Sequence, residues 1–191
     1  MKQSNFYALL FRQKYIKRWG LMRNVTEENL AEHSAETAIL THALASIGNT
    51  VFGRHYDIGK AVVLALFHDA PEVVTGDLPT PVKYFNPQIR TSYAEIEESA
   101  VTLLLSKLPP ELRPEYEPLL SGGEPDLHLL VKAADKLCAY IKCVEEEKSG
   151  NPEFRQARIT VLKTLESIDS PELKWFCEHL LPAFELTLDE M

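Results

Sequence analysis

Apolar residues recur along this chain at spacings of three and four, the pattern of helices that each bury one stripe. Phe6, Leu9 and Leu10 predict a first helix over Asn5–Lys17, with Asn5 as a candidate cap and Lys17-Arg18-Trp19-Gly20 as its end. Thr26-Glu27-Glu28-Asn29 opens a second helix, its acids suited to the positive end of the macrodipole. That helix carries His33 in its first turns and Ala35, Ala38, Ile39 and Ala45 as its stripe, before a loop from Gly48 to Tyr56. A central run, Ile58, Ala61, Val62, Ala65 and Leu66, ends at His68-Asp69, because Pro71 cannot continue a helix without strain. Thr75-Gly76-Asp77-Leu78-Pro79-Thr80-Pro81 is dense in turn formers and reads as irregular.

Tyr93, Ile96, Ala100, Leu103 and Leu104 predict a helix over Ser92–Lys107, followed by a proline-rich connection from Pro109 to Pro125 with a short apolar piece at Leu119-Leu120. Asp126 is read as the cap of a long helix facing inward through Leu127, Leu130, Val131, Ala134, Cys138 and Ile141, stopped by Gly150-Asn151-Pro152. Phe154, Ala157, Val161 and Leu165 mark another helix, and Ser170-Pro171 starts a last one through Trp175, Phe176 and Leu180. No stretch alternates with period two, and no linker or repeat divides the chain. The expectation is an all-α fold: one domain over residues 1–191, a bundle of roughly six or more helices.

Composition narrows the function classes. With 191 residues, 45% hydrophobic and 25% charged, the chain has the makings of an ordinary globular core. A net charge of -8 gives no basic face for a nucleic acid polymer, although a local cation cluster can still hold a small anion. Cys138, Cys143 and Cys177 form no CxxC and read as thiols of a reducing cytoplasm. No run is long enough for a membrane span, and an N-terminus of Lys2, Gln3, Ser4 and Asn5, with its apolar part broken at Arg12 and Lys14, is a poor signal peptide.

The chemistry gathers around His68-Asp69. Asp69 falls on or beside the buried stripe of its helix, where a carboxylate is costly unless paired or ligating a metal. His33 begins the second helix, and Asp135 sits in the long helix between Val131 and Cys138 on its apolar edge. Singly, each is more often a hydrogen-bonded core residue. Together, His33, His68, Asp69 and Asp135 offer two imidazoles and two carboxylates, a set suited to one divalent transition-metal cation: Co2+, Mn2+, Ni2+, Zn2+ or Fe2+. Such an ion lowers the pKa of bound water and polarises a phosphoryl oxygen. His42 lies on an apolar stripe and reads as a core histidine. His55, His128 and His179 receive no role, so the site should be mononuclear.

The pattern His33…His68-Asp69…Asp135 resembles the signature of the HD-domain metal-dependent phosphohydrolases. Arg18-Trp19, Asn29 to Ser34, His68 to Glu72, Gly76 to Phe85 and Lys132 to Tyr140 are similar to the YfbR-type bacterial 5'-deoxynucleotidases, and the similarity covers essentially the whole chain. The resemblance implies an HD-type helical fold, a homodimer, and hydrolysis of deoxyribonucleoside 5'-monophosphates to deoxynucleoside and phosphate. It implies Arg18 as a phosphate clamp and Trp19 as a wall that excludes a 2'-hydroxyl. Glu72 and Asp77 become the groups that handle protons beside Arg18, with their division of labour open. The nucleotide would touch Arg18, Trp19, His33, Asp69, Asp77, Leu78, Pro79, Thr80 and Asp135. Two alternatives stand beside it: an HD-type phosphohydrolase acting on a triphosphate, an alarmone or a cyclic nucleotide, and a non-catalytic nucleotide sensor. The longer phosphate chains need more cations than Arg18 and Lys83, which favours a monophosphate.

Overall fold

The computed structural model describes residues 4–191, so Lys2 and Gln3 of the N-terminal reading lie outside it. Within these described residues ten α-helices follow one another: α1 (Phe6–Leu10), α2 (Leu30–Val51), α3 (Ile58–Phe67), α4 (Glu72–Thr75), α5 (Thr80–Lys83), α6 (Pro87–Ser106), α7 (Arg113–Leu120), α8 (Pro125–Lys148), α9 (Arg155–Ser167) and α10 (Pro171–His179). Among the described residues there is no strand, only one isolated bridge between Lys17 and Asn29. Among the described residues no helix is long and apolar enough to cross a membrane.

Two apolar cores share the interior. The larger packs α2, α3 and α8 against α9 and α10, through residues such as Leu44, Leu64, Leu137, Leu165 and Phe176. The smaller joins Phe6, Ala70, Leu104, Leu108 and Leu120. Ala65 belongs to the first and Ala70 to the second, so His68 and Asp69 lie where the chain passes from one core to the other. Pro71 ends the run there and leads into the single turn of α4. Gly76, at φ +74, then reverses the chain toward Asp77, a backbone setting that an L side chain rarely adopts.

Several expected boundaries move. The first helix is α for five residues and then tightens into a 3-10 turn over Phe11–Tyr15. α2 runs on to Val51, beyond the expected loop start at Gly48. Its Ala38 and Ala45 are buried, but Ala35 and Ile39 face outward and His42 is exposed, not a core histidine. The real inner face includes His33, Ser34, Thr37 and Thr41, so counting apolar residues alone picks the wrong side. Leu66, expected inside α3, is partly exposed and Leu64 takes its place. Thr80 and Pro81 begin the turn of α5 instead of lying in an irregular stretch. The proline-rich connection contains α7, because Pro114 sits where a helix start needs no amide hydrogen. Asp126 is not the cap of α8: with Pro125 in the first turn the cap is Glu124, and Asp126 faces the macrodipole from inside that turn.

The segment between the 3-10 turn and α2 is a closed loop. Arg18 N–H donates to Glu28 C=O (3.0 Å) and Leu30 N–H to Ile16 C=O (2.9 Å), which ties its ends together. Its far side is held by Glu146 of α8, almost wholly buried, which accepts from Val25 N (2.9 Å), Thr26 N (3.1 Å), Asn151 Nδ2 (2.8 Å) and Lys142 Nζ (2.5 Å). Burial works against this carboxylate, but Lys142 and the converging N–H groups outweigh it and hold its pKa at about 2. A depressed carboxyl pKa contributes stability that is complete above the ordinary carboxylate range and is lost as pH falls from there toward 2. Glu146→Ala leaves Lys142 buried without its counter-charge, with the Thr26 carbonyl as its remaining acceptor, and denaturant unfolding at neutral pH is expected to show a loss of about 3–5 kcal/mol. A loss under about 1 kcal/mol, the scale of a surface pair, would refute this anchoring.

Candidate metal and phosphate site

Each candidate ligand is placed by a local feature of its helix. His33 sits in the first turn of α2, which starts at Asn29 with a capping box: Asn29 Oδ1 accepts from Ala31 N and Glu32 N, and Glu32 Oε2 from Asn29 N. His68 is fixed by Nδ1, 2.6 Å from the Ala65 carbonyl. A carbonyl only accepts, so Nδ1 carries a proton, and Nε2 is the ring nitrogen turned toward Asp69. Asp135 projects from the middle of α8.

These side chains converge. Asp69 Oδ2 lies 3.1 Å from His68 Nε2, 3.5 Å from His33 Nε2 and 3.4 Å from Arg18 Nη1. Asp135 Oδ1 lies 3.2 Å from His33 Nε2 and 4.0 Å from Arg18 Nη2. His33, His68 and Asp135 each bring one ligand atom within 4.8 Å of the others. His68 Nε2 is buried with no hydrogen-bond partner, although a carboxylate oxygen faces it. Two electron-pair donors in that relation fit a shared cation, and the mix of imidazole and carboxylate suits a divalent transition metal.

Electrostatics agree. Burial disfavours both aspartates as anions, yet His68 and His33 hold Asp69 well below the usual range, and His33 and Lys136 do the same for Asp135. Burial alone would lower His33, but its bonds to Asp135 and Asp69 raise it well above the ordinary value. The cluster therefore demands positive charge at its centre. Glu72 shows the opposite behaviour. Burial first, then Asp69 and Asp77, pushes its carboxyl up to about 9, and its Oε2 is buried without a partner. Asp77 is raised too, by burial, with Arg18 pulling the other way.

The structure thus brings Arg18, His33, His68, Asp69 and Asp135 into direct contact, with Glu72 and Asp77 in the same field but outside ion-pair distance among the described residues. Leu78 and Pro79 follow Asp77 at half-buried positions; Thr80 is exposed. Two groups were missed by sequence reasoning. Lys136 Nζ lies 2.8 Å from Asp135 Oδ2, and Glu28 contacts Arg18, Trp19 and His33. The adjacency of Lys136 to Asp135 was the available signal for the first. For Glu28 there was none, since Glu27 beside it is chemically the same and pairs with Lys17 at the surface instead. Lys83 is committed to Glu97 at 2.8 Å, so it is not a free cation for phosphate.

Residues 5–184 match the family described as 5'-deoxynucleotidase YfbR-like. A 5'-deoxynucleotidase of Vibrio cholerae is 47% identical across the full length of both chains, and 5'-deoxynucleotidase YfbR of Escherichia coli is 49% identical over all of this chain and 97% of that enzyme. Among solved structures, an HD-domain phosphohydrolase from Listeria innocua superposes with a TM-score of 0.83 at 24% identity, covering 94% of this chain and 88% of that one. A cyanophage S-2L HD phosphohydrolase, solved with dA and one catalytic Zn2+ ion, gives 0.64 at 21% identity, with 96% of each chain covered. The latter two likenesses bear on the fold, which is that of the HD phosphohydrolases. With its fold, its histidine–aspartate cluster and full-length identity near one half, this chain belongs to the YfbR-like 5'-deoxynucleotidase family.

Proposed function

We propose that this chain is a cytoplasmic, homodimeric, divalent-metal-dependent 5'-deoxynucleotidase that hydrolyses deoxyribonucleoside 5'-monophosphates and discriminates against ribonucleotides. The observation that carries the reading is the convergence of His33, His68, Asp69 and Asp135 beside Arg18, in a chain about half identical to enzymes of that name. His33, His68, Asp69 and Asp135 would hold the cation, which when bound supplies a Lewis acid for the phosphoryl group and eases deprotonation of water.

Hydrolysis adds water across the P–O5' bond, so one proton leaves the attacking water and one must reach the departing O5'. We assign Glu72 and Asp77 to move them, on their raised carboxyls beside the cluster. Burial first, then Asp69 and Asp77, pushes Glu72 up to about 9 against the pull of Arg18 and Lys83, so it holds a proton readily. Arg18 binds the phosphate. Its Nε is taken by Glu28 at 3.2 Å, which leaves the two terminal nitrogens facing Asp69 and Asp135, where a second anion can be clamped.

Trp19 follows Arg18, so a phosphate on Arg18 places the sugar within reach of the indole. An apolar wall there tolerates a C2' methylene but leaves a hydroxyl without a partner, at a cost of roughly 1–3 kcal/mol. That corresponds to roughly ten- to a few-hundred-fold discrimination. Phosphate release from matched deoxy- and ribonucleotides tests the reading, with kcat/KM as the readout. Trp19→Ala is expected to narrow the deoxy/ribo ratio and to lower both rates. A large ratio that survives the substitution would show that another group reads the sugar. Light scattering checks the dimer.

A further inference from the structure

Glu28 was absent from every functional expectation, yet it touches three of the residues on which the proposed function depends. Its Oε1 lies 3.2 Å from Arg18 Nε and 3.3 Å from His33 Nδ1, and its Oε2 accepts from Trp19 Nε1 at 2.9 Å. The side chain is 10% exposed, and the backbone bond from Arg18 N–H to Glu28 C=O fixes the two residues opposite one another. Trp19 is the one non-glycine residue with positive φ among those described, at +57. Such a backbone is unfavourable for a bulky side chain and persists only where surrounding contacts over-determine it. Those contacts are present. The indole leans on Phe154 with ring centroids 5.3 Å apart, Met22 N–H donates to the Trp19 carbonyl at 2.9 Å, and Glu28 holds the indole nitrogen.

We propose that Glu28 is a positioning residue that locks Arg18, Trp19 and His33 into one unit, so that sugar selectivity is set by Glu28 acting through Trp19. The inference deepens the deoxynucleotidase reading and rests on it for the sugar. Two N–H donors, Arg18 Nε and Trp19 Nε1, bond to the two oxygens of this carboxylate, and His33 Nδ1 faces Oε1 at 3.3 Å with no hydrogen bond of its own. An amide offers one oxygen and turns its own N–H2 against the remaining donor. Glu28→Gln therefore breaks the unit with almost no change of volume, while Glu28→Asp keeps both acceptors and shortens the reach. Losing a group that orients a metal-ligating histidine typically lowers metal affinity by about 10–100-fold.

The test has arms that need no nucleotide. Calorimetric titration with Co2+ is expected to show that loss in Glu28→Gln, with Glu28→Asp between it and the parent. In a Trp175→Phe background, where Trp19 is the remaining tryptophan, the indole emission is expected to shift in Glu28→Gln. Unchanged metal affinity together with unchanged emission overturns the proposal, whatever the protein hydrolyses. A third arm places Glu28→Gln in the parent and in Trp19→Ala. If Glu28 acts through Trp19, the deoxy/ribo ratio in kcat/KM narrows in the first background and does not change in the second. Equal narrowing in both overturns the route through Trp19. A parent that releases no phosphate from deoxynucleotides would count against the nucleotidase reading and leave the metal and emission arms to decide on Glu28.

Discussion

Asp69→Asn is expected to reduce phosphate release from a deoxyribonucleoside 5'-monophosphate to the uncatalysed background, and His68→Ala to do the same. Asp69 Oδ2 is the atom on which His33, His68 and Arg18 converge, all within 3.5 Å. An amide in its place carries no charge and can present N–H2 to two ring nitrogens and a guanidinium. Removal of one preorganised electrostatic group already costs about 10²–10³ in kcat, and a ligand that also retains the cation should exceed that range. Metal content should fall with activity. The fold should survive, because Asp69 lies at the junction of the two cores and the apolar packing on either side of it, Ala65 in one core and Ala70 in the other, is untouched. Circular dichroism and elemental analysis separate these outcomes: an unfolded protein, or one that keeps metal and rate, would count against the assignment.

Glu72→Ala is expected to separate binding from turnover. Glu72 makes no ion pair with the clustered histidines or with Arg18 among the described residues, so its loss leaves the proposed ligands and phosphate clamp in place. What disappears is a buried carboxyl whose pKa has been lifted to about 9, first by burial and then by Asp69 and Asp77. Turnover should fall by about 10²-fold or more, the range for a positioned acid or base, with nucleotide affinity and metal content retained. Such a variant should capture a bound deoxynucleotide. Weakened binding with unchanged turnover at saturation would assign Glu72 to substrate recognition instead.

Much of this architecture could be read from the chain. The His68-Asp69 pair announced itself because an apolar helical run meets two polar residues and then a proline, and α3 ends at Phe67 accordingly. Ser170 caps α10 as its proline indicated, accepting from Leu173 N at 3.1 Å. The errors have physical causes. On α2 the buried face is partly polar because it builds the site: His33 and Thr37 lie inward, and Thr37 Oγ1 sits 3.4 Å from Cys138 Sγ beneath the cluster. An apolar count is therefore drawn to Ile39, which is 69% exposed. Glu28 was illegible for another reason. Its closeness to Arg18 comes from closure of the loop between them, and closure depends on Glu146, far along the chain on α8. Local periodicity carries no record of such a contact.

We infer that one divalent cation, held by His33, His68, Asp69 and Asp135, makes this chain a deoxynucleotidase. It is tested most directly by stripping the protein with a chelator and measuring phosphate release from a deoxyribonucleoside 5'-monophosphate before and after stoichiometric addition of Co2+ or Mn2+. The expected result is background release from the stripped protein, recovery on addition, and no recovery in Asp69→Asn. Full activity in the stripped protein, or equal recovery in Asp69→Asn, would contradict the claim.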